Sequence, residues 1–122
     1  MNQLVKVDRV KQLYFKNSYP FNLCYGGGSK TLYFDFAALD YVKSISFVGA
    51  TDDYGSVVLN GVTIFNQSAQ YGYSHCYDYV SGTIPVSYLK KKQNSITLSA
   101  YDGCWSNPDN ATVAFITLYF NY

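Results

Sequence analysis

Hydrophobic and polar residues alternate with a period of two along most of the chain, and this period predicts β-strands. In Asn94–Tyr101, the isoleucine, leucine and alanine residues fall on one face, while serine and threonine fall on the other. Lys43–Phe47 and Thr31–Phe36 alternate in the same way. No stretch shows the spacing of an amphipathic helix, so the fold class is predicted to be all-β.

The segment Ser56–Phe65 predicts a tight β-hairpin. Asn60 and Gly61 stand between two β-branched runs, and both tolerate the positive φ that a type I′ turn needs. The last segment, Thr112–Tyr122, is apolar on both faces, which predicts a central strand covered on both sides. About eight short strands separated by turn-forming residues indicate a single domain, residues 1–122, folded as an antiparallel β-sandwich or jelly roll.

Two short motifs are interpreted as turns. Tyr25–Lys30 (YGGGSK) superficially resembles a phosphate-binding loop, but it lacks the G-x-x-x-x-G-K spacing and is predicted to be a flexible turn before a strand. The basic run Lys90–Lys92 has no neighbouring aromatic ladder. It is therefore predicted to be a solvated turn between strands rather than a nucleic-acid contact.

The composition indicates what the strands present to solvent. The chain of 122 residues is 48% hydrophobic, 19% aromatic and only 14% charged, and it contains 14 tyrosines. Several tyrosines must lie at the surface, where Tyr beside Ser, Gly and Asn favours recognition. All-β proteins are also rich in Tyr and Thr for structural reasons alone, so both interpretations stay open. The net charge of +1 gives no electrostatic footprint for nucleic acid or an anionic membrane.

The sequence also sets expectations about location and redox chemistry. No apolar segment approaches the roughly 18 residues that a transmembrane helix needs, so no membrane insertion is expected. The start, MNQLVKVDRV, contains no apolar signal core. We expect an extracellular, cell-surface or virion-surface protein, exported by another route or cut from a longer secreted protein. Cys24, Cys76 and Cys104 allow one internal disulfide at most, and a Cys76–Cys104 bridge and three buried thiols are the alternatives.

Catalytic chemistry is poorly supplied, and the chain is expected not to be an enzyme. His75 is the single histidine, and neither a G-x-S-x-G elbow nor an H-E-x-x-H motif occurs. Asp52 and Asp53 are adjacent in a strand-like segment, so their side chains point to opposite faces and cannot flank one glycosidic bond. We expect this pair where a strand ends at a loop-bearing rim.

Two segments rich in aromatic and polar residues are the candidate binding loops. Trp105, the only tryptophan, is either a lid over the end of the sandwich or a platform for a sugar ring or protein anchor. The other segment, Tyr71–Tyr79, carries four tyrosines and the histidine. Loops gather at the two ends of a sandwich, which allows the two segments to meet. The candidate ligand-binding residues are Trp105, Tyr54, Tyr71, Tyr73, His75 and Asn107.

The loop Asp102–Asn110 offers oxygen ligands for calcium. Hard cations bind carboxylate, amide, hydroxyl and backbone carbonyl oxygens, and this loop contains the first three as side chains. The alternative is an ordinary polar loop, because Asp, Asn, Ser and Pro dominate loops in any case. One carboxylate of the Asp52–Asp53 pair is expected to face this loop. The predicted metal ligands are Asp53, Asp102, Ser106, Asp109 and Asn110.

Five motifs occur in an order that a known group of folds shares. They are Asp52–Tyr54 with Val57, Asn60–Gly61, Tyr88–Leu89 before the basic turn, Asn94-x-Ile96-x-Leu98, and a glycine-containing loop before a closing strand. In this order the chain resembles galactose-binding-domain-like jelly rolls, over roughly Ile45–Phe120. Within that group it most resembles the β-sandwich modules of TraN-type mating-pair stabilisation proteins of bacterial conjugation. Those proteins are outer-membrane adhesins whose tip contacts a surface protein of the recipient cell.

A second resemblance concerns the calcium loop. Asp102-x-x-x-Ser106-x-x-Asp109-Asn110 follows an Ile-Thr-Leu strand, and Tyr54–Gly55 is present upstream. This pattern is similar to that of the PA-IL-type calcium-dependent galactose lectins, in which a Tyr-Gly pair supplies a backbone carbonyl. The resemblance implies calcium as a cofactor.

These resemblances imply a non-catalytic recognition or adhesion module. Its expected partner is a glycan or an outer-membrane or cell-surface protein. The alternative is a structural virion or filament subunit, such as a phage decoration or tail protein, that self-assembles or binds other virion proteins. The apolar final strand and the missing signal core favour that alternative.

Overall fold

Eight β-strands account for most of the described chain and follow the predicted two-residue alternation. The computed structural model describes residues 9–18, 27–52, 54–67, 79–101 and 111–122. The strands are β1 (Val10–Ser18), β2 (Gly27–Phe34), β3 (Ser44–Asp52), β4 (Tyr54–Leu59), β5 (Val62–Gln67), β6 (Val80–Ile84), β7 (Asn94–Tyr101) and β8 (Ala111–Asn121). Short 3-10 helices, Leu39–Tyr41 and Val86–Tyr88, lie in two of the connections.

The strands form two antiparallel sheets of four strands each. Sheet A has the order β1-β8-β3-β6, and sheet B has the order β2-β7-β4-β5. The pairs β4–β5, β3–β6, β2–β7 and β1–β8 nest outward from one hairpin, as in a long antiparallel ribbon folded over into two layers. The pairs β3–β8 and β4–β7 then join the ribbon to itself within each layer. This arrangement confirms the predicted all-β sandwich of jelly-roll type.

The hairpin at the centre of the ribbon is also confirmed. Leu59 and Val62 are partners across the turn, and Asn60 and Gly61 have φ angles of 49° and 82°. Both angles fall in the left-handed region that a type I′ turn requires, which asparagine and glycine adopt at low cost. The local sequence therefore explains where the ribbon turns.

The core lies between the two sheets and is built from alternate residues of each strand. In β7, Ile96, Leu98 and Ala100 are completely buried, as their spacing predicts. Phe47 of sheet A stacks on Phe65 of sheet B, with ring centroids 5.9 Å apart and an interplanar angle of 3°. Each large aliphatic side chain buried in this way contributes about 1.5–3 kcal/mol to folding.

Strand β8 corrects one sequence prediction. It is central, between β1 and β3, but it is not covered on both sides. Its inner residues are buried, whereas Tyr119 on the outer face is 43% exposed. Within the described ranges no further layer packs on sheet A, so the outer apolar residues of β8 face solvent.

Gly27–Lys30 corrects a second prediction, because these residues belong to β2 rather than to a flexible turn. They pair with β7 from Tyr101 back to Leu98. The ring of Tyr101 lies so close that a Cβ on Gly27 would stand 2.6 Å from its Cδ1 atom. Glycine is therefore required by a close approach within the sheet. The basic run Lys90–Lys92, in contrast, is an exposed turn between strands, as predicted.

A buried side-chain amide, that of Asn94, closes the hairpin end of the sandwich. Its Oδ1 accepts hydrogen bonds from the backbone N–H of Lys90 at 2.7 Å and from Nδ2 of Asn60 at 2.9 Å. Its Nδ2 donates to the carbonyl oxygens of Lys90 at 2.7 Å and Phe34 at 3.2 Å. The amide thus uses both its acceptor positions and both its protons, which offsets the cost of burying it.

Asn60 extends this network across the hairpin. Its Nδ2 also donates to the carbonyl of Tyr88 at 2.7 Å, and its Oδ1 accepts from the backbone N–H of Ser95 at 2.8 Å. Its own backbone N–H donates to the carbonyl of Ser95 at 2.8 Å. We call these two side chains and their partners the Asn60–Asn94 cluster. The cluster ties the ribbon tip to the end of β2 and to the connection before β7.

Replacing Asn94 with alanine is expected to lower the free energy of unfolding by about 2–4 kcal/mol, because buried backbone groups of Lys90 and Phe34 lose their partners. Asn66→Ala is the matched control, since Asn66 is exposed on β5. The Asn66→Ala substitution is expected to lower the free energy of unfolding by less than about 0.5 kcal/mol. Urea unfolding followed by circular dichroism measures both variants. Equal unfolding midpoints would contradict the structural role of the cluster.

Candidate functional site

The strand registers define two ends of the sandwich, and different residues lie at each end. The Asn60–Asn94 cluster closes one end. The strand termini at the opposite end are Ser18, Gly27, Asp52, Tyr54, Gln67, Val80, Tyr101 and Ala111. We call this opposite end the Tyr54 end. Asp52 ends β3 there, as expected from its position in the sequence.

The predicted site residues border the Tyr54 end along the chain, and Tyr54 is the one that the structure describes. The predicted binding residues outside the described residues are Trp105, Tyr71, Tyr73, His75 and Asn107. The predicted metal ligands Asp53, Asp102, Ser106, Asp109 and Asn110 also lie outside them, as do Cys24, Cys76 and Cys104. Their predicted roles therefore stay predictions. Within the described ranges, no group of three or more His, Cys, Asp or Glu side chains could hold a metal ion.

Tyr54 lies next to Tyr101, and the two rings form a half-buried pair. They are partners across β4 and β7, with ring centroids 5.4 Å apart and an interplanar angle of 27°. Gly55 permits this approach, since a Cβ there would collide with the carbonyl oxygen of Ser99. Asp53 precedes Tyr54 and Asp102 follows Tyr101 in the chain. The pairing therefore brings together the chain positions that flank two predicted calcium ligands.

A buried polar layer lies in the core at the Tyr54 end. Gln67 of sheet B accepts hydrogen bonds at its Oε1 from the backbone N–H and the hydroxyl of Thr51 in sheet A, at 2.6 and 3.0 Å. Thr112 is also buried, and its hydroxyl has no hydrogen-bond partner among the described residues. The Thr51–Gln67 bonds join the two sheets where the apolar core ends.

The outer face of sheet B carries rows of hydroxyl groups on adjacent strands. One row joins Ser29, Ser99 and Ser56, and the next joins Thr31 and Thr97, whose hydroxyls are 2.8 Å apart. We define the hydroxyl face as the outward residues of this sheet. It comprises Ser29, Thr31, Tyr33, Tyr54, Ser56, Val58, Thr63, Asn66, Ser95, Thr97, Ser99 and Tyr101.

Three features make the hydroxyl face suitable for an uncharged polar ligand. None of its side chains is charged. The hydroxyls of Ser29, Ser56 and Ser99 bond to no other described residue, which leaves them available to a ligand. Tyrosines stand at both ends of the face, because the Tyr54–Tyr101 pair lies at one end and Tyr33, which is 72% exposed, lies at the other.

An open groove of about 790 Å³ lies beside Tyr33, at the hairpin end of the hydroxyl face. Its lining residues are Thr31, Tyr33, Phe34, Asp35, Gln93 and Ser95. Asp35 Oδ1 accepts a hydrogen bond from the backbone N–H of Gln93 at 2.8 Å, which fixes the carboxylate at the rim. Gln93 has a φ of 58°, so the chain turns sharply at this point.

The outer face of sheet A has a different chemistry, because large aromatic and apolar side chains are exposed there among serine, threonine, asparagine and glutamine residues. Tyr14 is 54% exposed, and Val10, Tyr79 and Tyr119 are also exposed. The ring of Tyr79 meets Phe115 edge to face at a centroid distance of 6.0 Å. We call these five residues the aromatic face. They confirm the expectation that several tyrosines lie at the surface.

Sequence reasoning placed the candidate site in loops and missed the hydroxyl face. The alternation in Asn94–Tyr101 predicts the polar side of β7, but it does not show which residues of β2 and β4 lie beside it. A signal was present in the composition, since the outward positions of β4 and β7 carry Ser, Thr and Tyr and no charged residue.

No protein-family model matches the chain, and a search of curated proteins finds no match. The two-sheet architecture is compatible with a galactose-binding-domain-like fold. In the part of the chain that the structure describes, no helix has the length and apolarity needed to cross a membrane.

Proposed function

We propose that the protein is a non-catalytic recognition module that binds a neutral carbohydrate at a cell surface. The observation that carries the proposal is the hydroxyl face, in which uncharged hydroxyl groups lie between exposed tyrosines. Sugars offer hydroxyl groups that donate and accept hydrogen bonds, together with apolar C–H faces that pack on aromatic rings. Tyrosine and serine on rigid strands supply both kinds of contact with little loss of side-chain entropy.

The TraN-type resemblance supports a second kind of ligand for the same role, a protein on the surface of another cell. The two ligands differ in what the hydroxyl face must supply. A protein interface relies on a few buried aromatic or arginine anchors, whereas this face offers distributed hydroxyl groups. The distribution of hydroxyls favours the carbohydrate.

A glycan array is expected to show binding to neutral glycans, with affinity that changes less than about twofold between about 50 and 500 mM salt, because no charge pair is involved. Ser99→Ala is expected to weaken binding about three- to tenfold through the loss of one hydrogen bond. Ser81→Ala is the matched control, since Ser81 is exposed on β6 in the other sheet. An empty array, or binding confined to anionic glycans, would contradict the proposal.

Calcium is proposed as a cofactor at the Tyr54 end. The donor set of Asp53, Asp102, Ser106, Asp109 and Asn110 consists of carboxylate, hydroxyl and amide oxygens, which are the ligands that calcium prefers. The pairing of Tyr54 with Tyr101 supports a shared site, because these residues flank Asp53 and Asp102. Bound calcium would neutralise the carboxylates and order the chain around them.

Asp102→Ala is expected to lower the melting temperature in calcium-containing buffer and to leave it unchanged with a chelator, because ligand binding stabilises the folded state. Asp40→Ala is the control, since Asp40 forms an exposed ion pair with Lys91 on a different part of the surface. The difference in melting temperature between this variant and the parent protein should be the same in calcium-containing buffer as with a chelator. If calcium leaves the melting temperature of the parent protein unchanged, the metal proposal fails.

The second candidate function is that of a structural virion or filament subunit, and the aromatic face favours it. Exposed contiguous aromatic and apolar side chains are typical of protein–protein contacts. Val10 pairs with Tyr119, and Tyr14 pairs with Phe115, on neighbouring strands β1 and β8. The polar pair Gln12–Thr117 lies between these two pairs. A second copy of the chain is the partner that this proposal names.

Under the assembly proposal, the protein is expected to form larger species as its concentration rises, and Tyr14→Glu is expected to keep it monomeric by placing a charge in the contact. Tyr33→Glu adds the same charge to the hydroxyl face and should leave assembly unchanged. Sedimentation velocity over a wide concentration range measures both. A parent protein that stays monomeric throughout would contradict assembly.

A further inference from the structure

We infer that the hydroxyl face takes an extended, unbranched neutral glycan chain rather than a single terminal sugar. This inference rests on the proposed carbohydrate recognition and names the form of the ligand. The chain would run diagonally over sheet B, from the Tyr54–Tyr101 pair to the groove beside Tyr33.

The separation of the tyrosines sets the length of the ligand. Gly27 is the partner of Tyr101, and Tyr33 lies further along the same strand, opposite Ser95. From Gly27 to Tyr33 the strand rises about 20 Å, at about 3.3 Å per residue. A single sugar ring is too short to contact both platforms. A ligand that uses both must be an oligosaccharide of several rings.

The spacing of the hydroxyl rows is compatible with a repeating ligand. The row of Ser29 and Ser99 and the row of Thr31 and Thr97 are two residues apart on each strand, a distance of about 6.6 Å. The hydrogen bond between Thr31 and Thr97 fixes the second row, and the backbone ladder fixes both. Hydrogen-bonding groups therefore recur at regular steps on a rigid surface, as a polymer of similar units would require.

The hydroxyl face indicates that the glycan is neutral, because none of the side chains that define it is charged. Asp35 stands at the rim with Oδ1 bound to the backbone N–H of Gln93. Its carboxylate can accept a strong hydrogen bond from a sugar hydroxyl, but it repels a carboxylated or sulfated sugar. Lys91 is paired with Asp40, whereas Lys92, which precedes Gln93 in the chain, is exposed. The charges at the hairpin end are therefore of both signs, and it is the uncharged hydroxyl face that favours a neutral polysaccharide.

The open shape of the site agrees with an extended chain. Thr31 and Ser95 of the hydroxyl face line the groove at Tyr33, so a glycan bound there can extend along the serine and threonine rows. The positions of the tyrosines favour a glycan that lies diagonally over sheet B rather than one that lies perpendicular to its four strands. Tyr33 lies on the edge strand β2, whereas Tyr54 lies on β4 at the other end.

Isothermal titration with neutral cello-, laminari- and galacto-oligosaccharides, from a single ring up to hexasaccharides, tests the inference. For the series that binds, affinity is expected to rise at least about tenfold with length and then to level off once the face is spanned. Tyr33→Ala is expected to weaken binding of the longest chain about tenfold and to leave the monosaccharide unaffected if that ring binds at the Tyr54 end. Tyr41→Ala is the control, because Tyr41 is exposed outside the face.

Tyr33 is the main probe because its exposure makes a folding defect in the variant unexpected. Tyr54→Ala tests the other platform, with the unfolding midpoint measured alongside. Affinity that does not change with chain length, or long-chain binding that Tyr33→Ala leaves intact, would overturn the inference while the proposed carbohydrate recognition stands. Failure of every oligosaccharide, together with an empty glycan array, would overturn the proposed function itself.

Discussion

The hydrogen bond between the side chains of Asn60 and Asn94 holds the centre of the ribbon in place, and the rest of the sandwich depends on it. Every other pairing of the ribbon nests outward from the Asn60 hairpin, so the position of this hairpin constrains the register of the outer pairs. A slip of one residue would exchange inner and outer faces along the strands. The cluster opposes such a slip, because it joins the tip to β7 and to the end of β2 through buried and partly buried hydrogen bonds that use both protons of each side-chain amide.

The Asn60–Asn94 cluster also gives a structural role to several motifs on which the family resemblance is based. Asn60, Gly61 and Asn94 are structural residues, which turn the ribbon and close one end of the sandwich. These motifs therefore concern how the chain folds rather than what it binds. A fold hosts many functions, and function depends on the site that it carries. The proposed ligand accordingly rests on the outer face of sheet B rather than on the shared motifs.

Much of the fold could be predicted from the sequence, because the alternation in β7 and the Asn60–Gly61 turn are local signals. Gly27–Lys30 was mistaken for a turn, since Gly27 serves a close approach to Tyr101 that only the tertiary structure creates. The outer face of β8 was expected to be covered because its residues are apolar, and the sequence does not show what packs on them. The hydroxyl face was missed for a related reason. Its rows combine Ser29, Ser99 and Ser56 from three strands, and only the register aligns them.

The inner face of sheet B carries the residues that fold the protein, and its outer face carries those of the proposed recognition site. Strands β4 and β7 bury their inner residues completely, and this core sets the positions of the serines and threonines on the other side. Side chains on the hydroxyl face are exposed or partly exposed, so substitutions there are expected to change stability less than substitutions in the core. Their backbone is held by hydrogen bonds within the sheet, which reduces the entropy that a ligand must remove on binding. A rigid sheet with exchangeable outer residues is therefore well suited to recognising extended ligands.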